Sequence, residues 1–99
     1  MKLIKLLAEQ MHEELEDAKE YAKLAVQHKE DDRRLAEVYA RLSEQELNHS
    51  DMLHEQATRI ISDYGEEAPA AMQAVWDWEH ERMVDCMAAV RVLLDMYRK

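Results

Sequence analysis

Four of the five histidines in this chain follow an acidic residue by three positions: Glu9/His12, Glu46/His49, Asp51/His54 and Asp77/His80. On a helix, residues three apart share a face, so a carboxylate and an imidazole at this spacing can grip one metal ion or bridge two neighbouring ions. The bare pattern is weak, because 22 acidic residues and 5 histidines among 99 give about one such pair by composition alone. Position relative to the apolar residues separates the pairs. Glu9, His12, Asp51 and His54 fall off the apolar stripes and are expected in solvent. Asp77 also falls off its stripe, and His80 only flanks one. Glu46 and His49 alone both point inward.

Three amphipathic helices are predicted to position these residues: about 3–28, 32–63 and 69–98, forming one helical domain over 1–99. The first stripe runs Ile4, Leu7, Met11, Glu14, Ala18, Tyr21, Ala25, so Glu14 interrupts an apolar seam. The second runs Leu35, Tyr39, Leu42, Glu46, His49, Leu53 and on to Ile60, with Glu46 and His49 at consecutive seam positions. The third carries Met72, Trp76, Met83, Cys86, Val90, Leu93 and Tyr97, with Glu79 between Trp76 and Met83. Gly65 and Pro69 punctuate the second boundary as a helix stop and start. The first boundary lies in HKEDDRR, where charges run unbroken from Lys29 to Arg34 and Asp31 or Asp32 is a candidate N-cap. A single helix through this stretch is the rival reading. A hairpin is favoured because each apolar stripe needs a partner.

A buried carboxylate is costly unless it is paired, protonated or bound to a metal. Glu14, Glu46 and His49 on facing seams therefore need a common partner, and their heights agree. In an antiparallel hairpin, pairing Glu14 with Glu46 or with His49 centres the turn between residues 30 and 32, inside the charged stretch. The alternative to metal is a polar network in which Glu and His satisfy each other and fix helix register. Glu79 is open to three readings: a further ligand, the partner of a basic side chain, or a seam-edge residue reaching water. Trp76 and Trp78 are expected as packing residues, and Cys86 as a small core residue.

Composition bounds the rest. One Gly, one Pro and no Phe, with abundant Ala, Leu, Glu, Met and Lys, is a helix-forming vocabulary. A net charge of −9 argues against nucleic acid and against anionic membrane surfaces. The opening MKLIKLLAEQMHEE has too short an apolar run for a signal peptide, and no stretch is apolar for long enough to span a bilayer. A single cysteine excludes an intrachain disulfide and fits a reducing compartment, so a cytoplasmic location is expected.

Glu14, Tyr21, Glu46 and His49, in the stretches EELEDAKEYAKLA and YARLSEQELNHSDML, together resemble half of the ferritin-like di-iron site. The resemblance spans roughly Met11 to Leu53. Rubrerythrins and bacterioferritins carry this half twice over four helices. A chain that carries it once is more similar to the encapsulated ferritins, in which two half-bundles meet to complete the site. The resemblance implies an all-α, ferritin-like half-bundle: an antiparallel helical hairpin plus a third long helix, completed by dimerisation. It implies iron (Fe2+/Fe3+) or manganese as the metal and oxidation of Fe(II) by oxygen or peroxide as the chemistry. Glu46 would bridge the metals, Glu14 and His49 would be terminal ligands, and Tyr21 would support catalysis by orienting a ligand. On charge alone, Glu13, Asp17 and other surface carboxylates are expected to pass cations inward. The third helix departs from the pattern, since Arg82 rather than His stands three residues after Glu79. The chain also ends LLDMYRK, without the docking tail of a cargo for an encapsulin shell.

Three ligands per chain are too few for a di-metal centre, and a two-fold axis doubles them to four carboxylates and two imidazoles. A homodimer or a higher homo-oligomer of dimers is therefore expected. Oxygen and nitrogen ligands without thiolate suit iron or manganese. The competing class is a structural or adaptor bundle whose buried Glu and His set register.

Overall fold

The computed structural model describes residues 2–67 and 69–99, apart from the Glu67 side chain. Three long helices make up nearly all of it: α1 (Lys2–His28), α2 (Arg33–Tyr64) and α3 (Ala70–Arg98). A short 3-10 turn, Gly65–Glu67, follows α2. No strand occurs among the described residues. No helix is long and apolar enough to cross a membrane among the same residues.

The charged stretch breaks the chain between α1 and α2. His28 closes α1, where its Nδ1 lies 3.1 Å from an Asp31 carboxylate oxygen. Asp32 then caps α2 by accepting a hydrogen bond from the Leu35 N–H at 3.1 Å, which satisfies one of the amides a helix start leaves orphaned. Gly65 ends α2 at φ +57°, a left-handed conformation that costs least without a Cβ, and its N–H donates to the Ser62 carbonyl. Pro69 precedes α3 with a carbonyl that accepts from the Met72 N–H at 2.9 Å.

The core has two parts, and α1 contributes to both. Ile4, Leu7, Met11 and Leu15 pack with Met72, Trp76, Met83 and Cys86 of α3 and with Ala57 of α2. Towards the other end, Ala18, Ala22 and Ala25 pack with Ala36 and Ala40 of α2 and with Val90, Leu94 and Tyr97 of α3. The second part is built from small residues where α1 meets α2. Small side chains let the two backbones approach closely, and the buried Ser43 hydroxyl donates across the gap to the Ala18 carbonyl at 2.7 Å. The contacts between α1 and α2 run in opposite numerical order: Tyr21 meets Tyr39, Ala18 meets Ser43, and Glu14 meets His49. At the far end of α3, the Tyr97 hydroxyl donates to Glu37 and Arg98 pairs with Glu44, tying α3 to the start of α2.

The buried stripes sit one residue away from the predicted seams at several points. Leu15 and Ala22, not Glu14 and Tyr21, are fully buried on α1. On α2 the buried residues are Ala36, Ala40, Ser43, Ser50 and Ala57, while Leu35, Tyr39, Leu42, Glu46, Leu53 and Ile60 are half-buried and His49 is exposed. Glu14, Glu46 and His49 are thus on the shoulder of the core, not within it. On α3 the predicted stripe is buried, except that Leu94 takes the place given to Leu93.

The molecule is a rod, with Cα extents of 54 × 17 × 17 Å. Its length is that of one helix of α2's size, at about 1.5 Å rise per residue. Its radius of gyration is 15.8 Å, against about 13 Å for a compact domain of this length. A rod of three helices cannot cover every flank of its members: on α2, Tyr39, Leu47, Leu53 and Ile60 pack at the edge of the core, while Val38 and Met52 stay exposed.

Candidate metal centre

Glu14 from α1 and Glu46 and His49 from α2 come together although 32 residues separate the first two in sequence. One ligand atom from each lies within 4.8 Å of the others, the group of this kind found among the described residues. The Nδ1 of His49 is 3.6 Å from a Glu14 oxygen and 3.7 Å from a Glu46 oxygen. These distances are too long for hydrogen bonds. They suit atoms arranged around a common ion, since adjacent ligands at about 2.1 Å from a small divalent cation stand about 3 Å or more apart.

The electrostatics are those of a site short of positive charge. Glu46 is pushed up to about 7 from its ordinary 4.5, first by its hydrogen bond with Glu14, then by desolvation and by the Glu14 charge. His49 opposes the shift, and Asp17 adds to it. Near neutral pH, Glu46 therefore holds a proton between two carboxyl groups that cannot both ionise cheaply. A divalent cation would take that proton's place. The donor set of two carboxylates and one imidazole fits iron or manganese. Glu46 is the least exposed of the three side chains at 19 %, and His49 the most at 51 %, so the group opens outward along α2.

Tyr21 stands two turns from Glu14 on α1 and stacks on Tyr39 of α2, with centroids 6.2 Å apart and planes 24° apart. The hydrogen bonds found among the described residues do not link it to the trio. Glu79 is not brought to the group either. Its carboxylate lies 3.9 Å from Arg82 on its own helix, the arrangement of a carboxylate partnered by a basic side chain. Cys86 is buried and its thiol donates weakly to the Leu15 carbonyl at 3.6 Å. Burial also pushes its pKa up, which makes it a packing residue and not a reactive thiolate.

One histidine expected on the surface and one expected beside an apolar stripe are not free of the fold. His54 and His80 are half-buried and meet Trp76, with ring centroids 5.4 and 5.7 Å from the indole and 5.2 Å from each other. The sequence held a signal for His54. It continues the stripe of small residues Ser43, Ser50 and Ala57 that forms the buried face of α2, a stripe that hydropathy alone passes over. Comparison of the chain with protein-family models, with curated proteins and with solved structures finds no match, so the reading of the site rests on its own geometry.

Proposed function

We propose that this chain is half of a ferritin-like metal protein, in which two copies meet to build a di-iron or di-manganese carboxylate centre. The observation that carries the reading is the convergence of Glu14, Glu46 and His49 from two helices on a flank that is rich in apolar residues and still half-open. The opposite numerical order of the α1–α2 contacts supports an antiparallel hairpin as the half-bundle. Leu35, Tyr39, Leu42 and Leu53 flank the trio along α2, and Val38 and Met52 are 51 % and 58 % exposed. A second copy laid against this flank would cover those side chains and bring a second trio opposite the first.

In this reading Glu46 would give up its proton to become a metal ligand, shared between the two copies' sites. Glu14 holds from α1, and His49 offers Nδ1 from the more open side. Iron held there would supply redox chemistry with oxygen or peroxide, so Fe(II) oxidation is the activity proposed. Oxygen consumption on adding Fe(II) tests the enzymatic part. Uptake well above the buffer rate in wild type, lost in His49→Ala, supports it, and equal rates in the two proteins refute it.

A second reading is favoured by the close approach of Glu14 and Glu46, which lets one proton be shared between the two carboxyl groups without an ion. The chain would then be a structural or adaptor bundle whose Glu/His network sets register. Metal content separates the two.

A further inference from the structure

A second cluster, on the other side of the core, has different chemistry. A cavity of about 210 Å³ opens where all three helices meet. Met11 from α1, His54 from α2, and His80, Met83 and Met87 from α3 line it. His80, Met83 and Met87 follow at helical steps of three and four, so they share one face of α3. Three of the chain's seven methionines therefore converge on two imidazoles. Met11 and Met83 are each 2 % exposed.

The ring nitrogens of both imidazoles are open to a ligand, since the one buried side-chain nitrogen without a partner among the described residues is His12 Nδ1. The hydrogen bonds and ion pairs found among the described residues give neither His54 nor His80 a side-chain partner, although both are half-buried against Trp76. Their centroids stand 5.2 Å apart. A ring bound through nitrogen at about 2.0–2.1 Å puts its centroid about 3.2 Å from the ion, and two such rings at a tetrahedral angle are about 5 Å apart. The observed spacing is compatible with that value, and it is also the spacing of an ordinary tilted ring pair, so the donor types carry the assignment. We propose that this cavity is a binding site for a soft monovalent cation, Cu(I), held by the imidazoles of His54 and His80 and by two thioethers drawn from Met11, Met83 and Met87.

Thioether and imidazole ligands select Cu(I) over oxygen-seeking ions, whereas the carboxylates of the Glu14 group favour iron or manganese. The two sites therefore sort different metals, and neither depends on the other. Asp51 is exposed at the cavity's rim and supplies a negative charge on the entry path. Trp76 packs against both imidazoles and holds them beside the cavity.

The test is anaerobic Cu(I) titration of the full chain against a coloured Cu(I) chelator. Wild type is expected to take up about one Cu(I) per chain, with affinity falling about 100-fold in His80→Leu and at least about tenfold in the nearly isosteric Met83→Leu. Cys86→Ser and Glu46→Gln are expected to bind as wild type does. No uptake, uptake unchanged in both His80→Leu and Met83→Leu, or uptake lost in Cys86→Ser would each overturn the proposal. A second measurement needs no variant to fold: Ag(I) added to protein labelled at the methionine methyls and followed by NMR. Shifts at Met11, Met83 and Met87 support the site, and shifts at the exposed Met52 and Met96 instead overturn it.

Discussion

Replacing Glu46 by Gln separates the energetics of the trio from its capacity to bind metal, because the two effects carry opposite signs. Glu46 titrates near 7 in the folded chain and near 4.5 when unfolded. Below 4.5 both states hold the proton and the site is neutral to stability. Between 4.5 and 7 the unfolded chain has lost a proton that the folded chain retains, so raising the pH favours unfolding. Above 7 the cost is complete and constant. The full difference corresponds to about 3 kcal/mol, which the water reaching this partly exposed group reduces to about 1–2 kcal/mol. An amide keeps the shape and can still donate to Glu14, but it never ionises. Glu46→Gln is therefore expected to match wild type near pH 5 and to exceed it at pH 8 by about 1–2 kcal/mol, or about 5–15 °C in Tm for a chain of this size. Urea unfolding of metal-free protein at both pH values, at one fixed protein concentration, reads the difference. Adding Mn(II) at pH 8 should reverse the order, since a ligand at 100 times its Kd adds about 2.7 kcal/mol to wild type and nothing to a variant that cannot bind it. A Gln variant less stable than wild type at pH 8, or a gap that does not change with pH, would refute the reasoning.

Three further outcomes follow from the same structure. Metal affinity at the trio is expected to fall about tenfold per pH unit below about 7, because each bound ion must displace the Glu46 proton; calorimetric titration with Mn(II) at pH 6 and 7 measures it. Leu42→Lys puts a charge on the half-buried flank of α2 and is expected to leave helix content unchanged while lowering the mass to that of one chain, read by light scattering. Leu15→Ala removes a fully buried side chain where α1 meets α3 and should cost about 2–5 kcal/mol in urea unfolding, without changing metal affinity in the protein that remains folded.

The helices were legible because their punctuation is physical. Asp32 caps, Gly65 stops and Pro69 precedes a start, and the observed bounds fall within two residues of those predicted. The α3 stripe was legible as well, because large apolar side chains mark it. On α2 the cue misled: the residues closest to α1 are Ala and Ser, and the large apolar side chains line the flank beside them. Hydropathy weights bulk, whereas close helix approach selects for small size. Glu14, Glu46 and His49 nevertheless meet, because the height at which two helices pair depends on the turn and not on which shoulder of the stripe a residue occupies. Tyr21 and Glu79 were placed by spacing along their own helices, which carries no information about what lies across from them. Tyr21 meets Tyr39 on the neighbouring helix, whereas the partner of Glu79 is Arg82, three residues on along the same helix.

Bound metal per chain after aerobic Fe(II) addition, with the particle mass determined in the same run, tests the shared centre most directly. About one iron per chain is expected, in a dimer or a multiple of dimers, with the iron lost in Glu46→Ala. Wild-type protein that carries no iron or manganese, or a monomer whose iron survives Glu46→Ala, would contradict it.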